Sequence, residues 1–287
     1  MTARLLHWSV RRELWEHRSV YLAPLAVALL VLLGSLLRVA ALPRRLAALP
    51  ADDPGALHAL LVGPFRLAPA PIMLASFLVG MYYALDALYG ERRDRSILFW
   101  KSMPVSDRLT VASKALVPLA LLPLLAFALS VATTAVLLLA ASALLAGGAV
   151  GPGRLWAEVR YFQQVAIMFY GLAVHALWLA PVYGWLMAVS AWAKRAPFLW
   201  AVLPPLAAGA AERLAFGTSH VCGLIRYRFA GAMSEAFVLA RGDGDVNRLT
   251  QLDPLGFVAS PGLWLGLAFA LASFAAAARL RRRREPI

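Results

Sequence analysis

Apolar residues run along this chain in long unbroken blocks rather than alternating with polar ones, the pattern of helices that are apolar all round instead of on one stripe. Six blocks are long enough to cross roughly 30 Å of hydrocarbon at 1.5 Å per residue. They lie at about 20–41, 67–89, 112–146, 161–192, 196–216 and 261–280. Only the turn AKRAP parts the fourth from the fifth, with Lys194, Arg195 and Pro197 interrupting the run. Pro118 and Pro123 in the third block, and Pro204 and Pro205 in the fifth, remove backbone donors and predict kinks. Ahead of the first block, Leu6, Val10 and Leu14 share one helical face, Trp8 and Trp15 suit the headgroup level, and Arg4, Arg11 and Arg12 are expected to face elsewhere. Residues 1–19 therefore predict a helix lying on a membrane surface. They are too charged and too rich in tryptophan for a cleavable signal. The fold class this pattern predicts is an all-α integral membrane protein, a single transmembrane domain over 1–287.

Composition agrees. Of 287 residues 61% are hydrophobic and only 15% charged, with a mean hydropathy of +0.70, and no soluble fold of this size hides that much apolar surface. The formal charge of +13 would point to nucleic acid in a soluble protein. Here the cations flank the blocks, so their expected partners are anionic headgroups of membrane lipids, not nucleic acid. Arg4, Arg11, Arg12, Arg18, the six cations of 87–114, Lys194, Arg195 and those of 279–284 make 17 of the 28 Lys and Arg residues, and all fall on one side if six blocks alternate. The positive-inside rule then puts both termini in the cytoplasm and 217–260 outside. Scarce lysine with abundant alanine, leucine and arginine fits a bacterial chain with GC-rich coding, hence an inner membrane. Cys222 has no second cysteine to pair with and no ligand spacing around it.

Little in the sequence carries catalytic chemistry. His7, His17, His58, His175 and His220 are scattered without HExxH spacing, no carboxylates are paired as an acid and base, and no metal or cofactor set emerges. A membrane-embedded hydrolase is therefore disfavoured. Asp86, near the end of the second block, and His175, near the middle of the fourth, are candidate polar sites because ionisable groups within a membrane are functional by default.

The stretch ALYGERRDRSILFWKSMPVSDRLTVASK, 87–114, packs six cations, three aromatics and a proline between two apolar blocks. Asp94 or Ser96 suits a helix cap, ILFWKSM a body of about two turns, Pro104 its end, and Ser106 with Asp107 the start of the next helix. Ile97, Leu98, Phe99, Trp100 and Met103 would cover nearly the whole circumference of that short helix. One face can rest on the ends of the spans, and aromatics left exposed beside charge suit docking to a partner protein.

The run GERRDRSILFWKSMPVSDRLTVASK resembles the first cytoplasmic loop of ABC-2-type permeases, the membrane subunits of ATP-binding-cassette transporters. The resemblance implies six spans, an N-terminal interfacial helix, and a coupling helix between spans two and three. It implies that Glu91 orients the loop while Ser96, Ile97, Leu98, Phe99, Trp100 and Met103 enter a cleft of a separate nucleotide-binding subunit. Many members carry glycine or asparagine where this chain has Arg95. Part of 217–260 would fold back into the outer leaflet, with Leu224 to Leu239 as candidate helix and GDGD as turn. The chain has no GxxxxGK[ST], so ATP and Mg²⁺ would belong to the partner subunit and no cofactor to this chain. Half a transporter implies a second permease copy, expected to be identical. The expected function is export driven by ATP. An ion-coupled secondary transporter or channel is the alternative, though no internal repeat and almost no buried charge are visible in the sequence.

Overall fold

In a computed structural model, residues 2–50, 53–102, 105–148, 150–238 and 246–283 are described. Helices account for nearly all of them. Among the described residues there is no strand beyond an isolated bridge between Phe237 and Leu252. The order is α1 (Thr2–Glu16), α2 (Ser19–Ala40), α3 (Leu42–Ala47), α4 (Pro54–Arg66), α5 (Pro69–Asp86), α6 (Tyr89–Arg93), α7 (Ile97–Ser102), α8 (Asp107–Leu116), α9 (Leu122–Leu144), α10 (Pro152–Val159), α11 (Tyr161–Trp178), α12 (Ala180–Trp192), α13 (Pro197–Phe216), α14 (His220–Ala236), α15 (Pro254–Ala259) and α16 (Pro261–Arg283).

Four helical stretches among the described residues are long and apolar enough to cross a membrane: Ser19–Ala47, Pro54–Arg93, Asp107–Leu144 and Pro261–Arg283. A fifth results if Pro152–Trp178 and Ala180–Trp192, bent by 42°, form one broken span. The chain is thus built as a multi-pass membrane protein. The apolar block at 161–192 is split at Leu179 because Pro181, at the start of α12, offers no N–H and its ring crowds the preceding turn. The block at 196–216 forms a single helix, α13, that runs on through Pro204 and Pro205. Its two prolines, with Glu212 and Arg213, lower its apolar character, and it is not among the four. Pro118 acts as expected: Val117–Leu121 is a π turn joining α8 to α9, where the missing donor lets the hydrogen-bond ladder slip by a residue.

The helices pack into two joined groups. In one, α12 lies along α16 and also meets α5, burying Tyr183, Leu186, Met187 and Ala277. The approach is close because small residues line it. A Cβ on Gly184 would meet the Cα and carbonyl oxygen of Ala270 and the Cβ of Ser273, each at 3.2 Å. On α16 the buried Gly266, Ala270, Ser273 and Ala277 follow one another at three- and four-residue steps, the spacing that lets membrane helices touch backbone to backbone. Gly184→Leu is therefore expected to push α12 from α16 and cost about 1–3 kcal/mol. A fall in the melting temperature of the detergent-solubilised protein, small for Gly184→Ala and large for Gly184→Leu, checks it. In the other group, α2 packs on α9 and α5, and α3, α4 and α10 close one end through Leu42, Leu61, Phe65 and Leu155.

Residues of the predicted external segment form α14 and α15, which fold against α11. The helix expected from Leu224 to Leu239 begins earlier, at His220, and ends at Ala236; Leu239 and GDGD lie outside the described residues. Trp178 anchors this packing. Its ring is fully buried, its Nε1 donates to the carbonyl of Arg228 at 2.9 Å, and the Arg228 guanidinium lies 4.5 Å above the ring.

Candidate functional site

At the opposite end of the bundle from α4 and α10, the chain gathers α1, α6, α7, the start of α8 and the last turns of α16 around a buried set of charges. Glu13 of α1 and Lys114 of α8 are both wholly inaccessible, and Lys114 Nζ donates to Glu13 Oε2 at 2.9 Å. Tyr83 of α5 donates its hydroxyl to the same oxygen at 2.7 Å, while Arg12 donates to Glu13 Oε1. Glu91 of α6 is the second anion. It receives Arg281 Nη2 at 2.9 Å on Oε2, and its Oε1 lies 3.2 Å from Lys114 Nζ and 3.6 Å from Arg12 Nη2. Arg281 also donates to Asp107. Arg12, Lys114 and Arg281 thus balance Glu13, Glu91 and Asp107.

Local sequence accounts for how each group arrives. Glu13 comes one position after Arg12 on a helix whose Leu14 packs beside Val20 and Tyr83, so the helix rolls its acidic side inward. Asp107 and Lys114 are seven residues apart and share one face of α8, which starts cleanly because Ser106 accepts from the amide of Leu109 at 3.3 Å. Arg12, expected to face away with Arg4 and Arg11, instead turns inward and lies 3.9 Å over the ring of Trp100. Arg11 does stay outside, stacked on exposed Trp8 and Trp15 at 5.3 and 4.7 Å.

Burial alone would push the Glu13 carboxyl up, but Lys114 and Arg12 beside it outweigh that and hold it at about 2, against a usual 4.5. His17 is pushed down, first by burial and then by the Lys114 charge. Glu13, Glu16 and His17 offer ligand atoms within 4.8 Å of one another, a spacing that suits a metal ion. The Lys114 ammonium already places a positive charge on Glu13 there, so the set reads as an ion-pair cluster.

The 87–114 connection is tied down on its inner side. Leu88 and Tyr89 donate their amides to Ser190 Oγ at 3.1 and 2.9 Å, and buried Arg92 donates to the carbonyls of Ser190 and Ala193, holding α6 against the end of α12. Arg95 has a left-handed backbone, φ 59°, the geometry glycine and asparagine adopt most readily, and it turns the chain from α6 into α7. The Ser96 hydroxyl donates back to the carbonyl of Glu91 at 3.5 Å. Ile97 is buried, Trp100 is half-buried under Arg12, and Leu98 and Phe99 stand 59% and 60% exposed. Met103 and Pro104 lie outside the described residues. The two candidate intramembrane groups are elsewhere. Asp86 faces Arg93 at 3.7 Å, and His175 lies 3.5 Å from the Tyr183 hydroxyl, with the Phe77 ring edge-on.

Glu13, Lys114 and Arg281 are the residues that sequence reasoning missed, and the impression of almost no buried charge was wrong for this end of the bundle. Each is far in sequence from the group it pairs with, 101 residues separating Glu13 from Lys114 and 190 separating Glu91 from Arg281. The one available signal was a lysine seven residues into a helix entering the membrane. No protein-family profile, curated protein or solved structure matches the chain.

Proposed function

We propose that this chain is the membrane-spanning permease subunit of an ATP-binding-cassette exporter of the ABC-2 type, with α7 as its coupling helix. The observation that carries the reading is the arrangement around Glu91: a short crosswise helix presents Leu98 and Phe99 outward while its base is clamped by charges from α1, α8 and α16. A push on α7 is passed through Trp100 and Arg12 to α1, and through Glu91 to Lys114 and Arg281, so three helices move as one body. In this reading α13 is a sixth span, α1 lies on the cytoplasmic surface of a bacterial inner membrane, both termini are cytoplasmic, and two identical copies share the transport path. A separate nucleotide-binding subunit holds ATP and Mg²⁺ and closes on nucleotide binding.

The test is to tag the chain, extract it gently from its own membrane and identify what accompanies it by mass spectrometry. A P-loop ATPase at near one-to-one ratio is expected. A chain that emerges without one, together with ion-driven transport lost on changing His175, would favour a secondary transporter, because the Tyr183–His175 contact is then the polar group within the spans that a proton would use.

A further inference from the structure

We propose that each chain binds one single-chain anionic amphiphile in a two-chambered cavity between α5, α9 and α11, with its headgroup at Arg160 and its tail running toward Tyr183. This deepens the permease reading by naming the class of molecule carried, and in that sense rests on it. The outer chamber, about 500 Å³, opens beside α4 and α10 and is rimmed by polar groups. The inner chamber, about 370 Å³, reaches down to Phe77, His175 and Tyr183. Met73, Ile167, Met168 and Val246 border both, so the two lie side by side with only these side chains between them. Their volumes fall within the range of roughly 300–1,000 Å³ typical of small-molecule sites.

Three features assign the chemistry. First, polarity is graded. The rim holds Arg160 and Arg248, and the carboxylate there, Glu158, is already engaged by His58 at 2.7 Å. The second chamber, bordered by Phe77, Leu172 and Phe237, has no lysine, arginine or carboxylate among the described residues of its lining, so a charged end is favoured beside the two arginines and a hydrocarbon end beside Phe77 and Leu172. Second, each chamber has in its lining a hydroxyl with no hydrogen-bond partner among the described residues. Thr134 Oγ1 in the outer chamber and Ser76 Oγ in the inner are buried without a hydrogen-bond partner, on residues only 9% and 5% exposed. Buried polar groups are normally paired, and a small rotation of the Thr134 hydroxyl toward the cavity would let an oxygen-bearing headgroup serve it. Third, Arg160 itself sits in the left-handed region, φ 47°, at the junction of α10 and α11. A side chain with a β-carbon is unfavourable there, and such positions concentrate where a ligand is held. A carboxylate and a phosphate monoester share the headgroup chemistry required.

The full chain, purified in an uncharged maltoside detergent, is titrated with dansyl-undecanoate. Saturable binding at one equivalent per chain is expected, displaced by dodecanoate and dodecyl phosphate but not by dodecanol or inorganic phosphate. Arg160→Gly keeps the backbone geometry while removing the cation, and is expected to raise the Kd about tenfold. Thr134→Val should weaken binding with an unchanged elution profile, and Met168→Trp, enlarging a side chain between the chambers, should abolish it. Equal displacement by dodecanol, unaltered binding to Arg160→Gly and Thr134→Val, or no saturable binding would overturn the proposal. Repeating the titration in nanodiscs separates the sources. Displacement by lysophosphatidic acid, a single-chain phosphate monoester, assigns a lipid-derived ligand and displacement by single-chain carboxylic acids alone a free acid, either result supporting the site, whereas displacement by two-chain phosphatidylglycerol would overturn the single-chain assignment. No ATPase is needed, so binding by a chain that co-purifies with none would sink the permease reading and leave the site standing.

Discussion

Lys114→Met is expected to be the most damaging single substitution in this protein. Removing the ammonium leaves Glu13 facing Tyr83 and Arg12 with its strongest counter-charge gone, and deprives Glu91 of a cation 3.2 Å away, all in a setting without water. Breaking a buried pair by deleting one partner costs about 3–5 kcal/mol, because the remaining charge keeps its desolvation penalty and loses its compensation. The variant should accumulate poorly and elute as aggregate. Glu13→Gln with Lys114→Met should recover part of the loss, since the pair is removed together, and a double-mutant cycle on melting temperature measures the coupling. The same cluster sets an acid limit. Because the Glu13 carboxyl is held at about 2 in the fold against 4.5 outside it, its stabilisation is present above pH 4.5 and is lost as the pH falls from there toward 2. Glu13→Gln should flatten that part of the pH–stability curve. An unchanged acid transition in Glu13→Gln would mean that other carboxylates set it.

Leu98→Ala with Phe99→Ala is expected to leave the fold intact and, on the permease reading proposed above, to disable the contact with the nucleotide-binding subunit. Both side chains are exposed and Phe99 touches Trp100 edge-on at 4.9 Å, so truncation removes surface and leaves the interior as it was. Aromatic anchors at the centre of an interface are worth about 2 kcal/mol or more, roughly a thirtyfold loss in affinity. Capture of the ATPase by the tagged chain should fall accordingly, and ATP-driven transport with it, at unchanged melting temperature. Trp100→Ala should differ. Its ring carries the Arg12 guanidinium, so its loss should lower the melting temperature as well as coupling, by the ~1–2 kcal/mol of a partly desolvated cation–π contact. If the Leu98 and Phe99 pair can be truncated with full capture and transport, α7 is not the docking element.

Much of this architecture was legible along the chain because a membrane imposes its pattern locally. Every backbone group must be satisfied within a helix and every lipid-facing side chain must be apolar, so four of the six expected spans, the breaks at Pro118 and the AKRAP turn, and the short helix at 97–102 follow from neighbours in sequence, whereas 161–192 is broken at Leu179 and 196–216 is not among the spans. The start of α8 at Asp107 behind the Ser106 cap is of the same kind. Tertiary packing alone decided which charges meet. Glu13, Glu91, Lys114 and Arg281 read separately as ordinary interfacial residues, and only the packing of α1, α8 and α16 against α6 removes them from water and obliges them to pair. The paired chambers were equally invisible, since they are the space left between α5, α9 and α11, and Thr134 and Ser76 become unpartnered only when those helices close around them. Periodicity reports what one segment needs from its solvent. Where desolvated groups from distant segments converge is set by long-range packing, which no local pattern encodes.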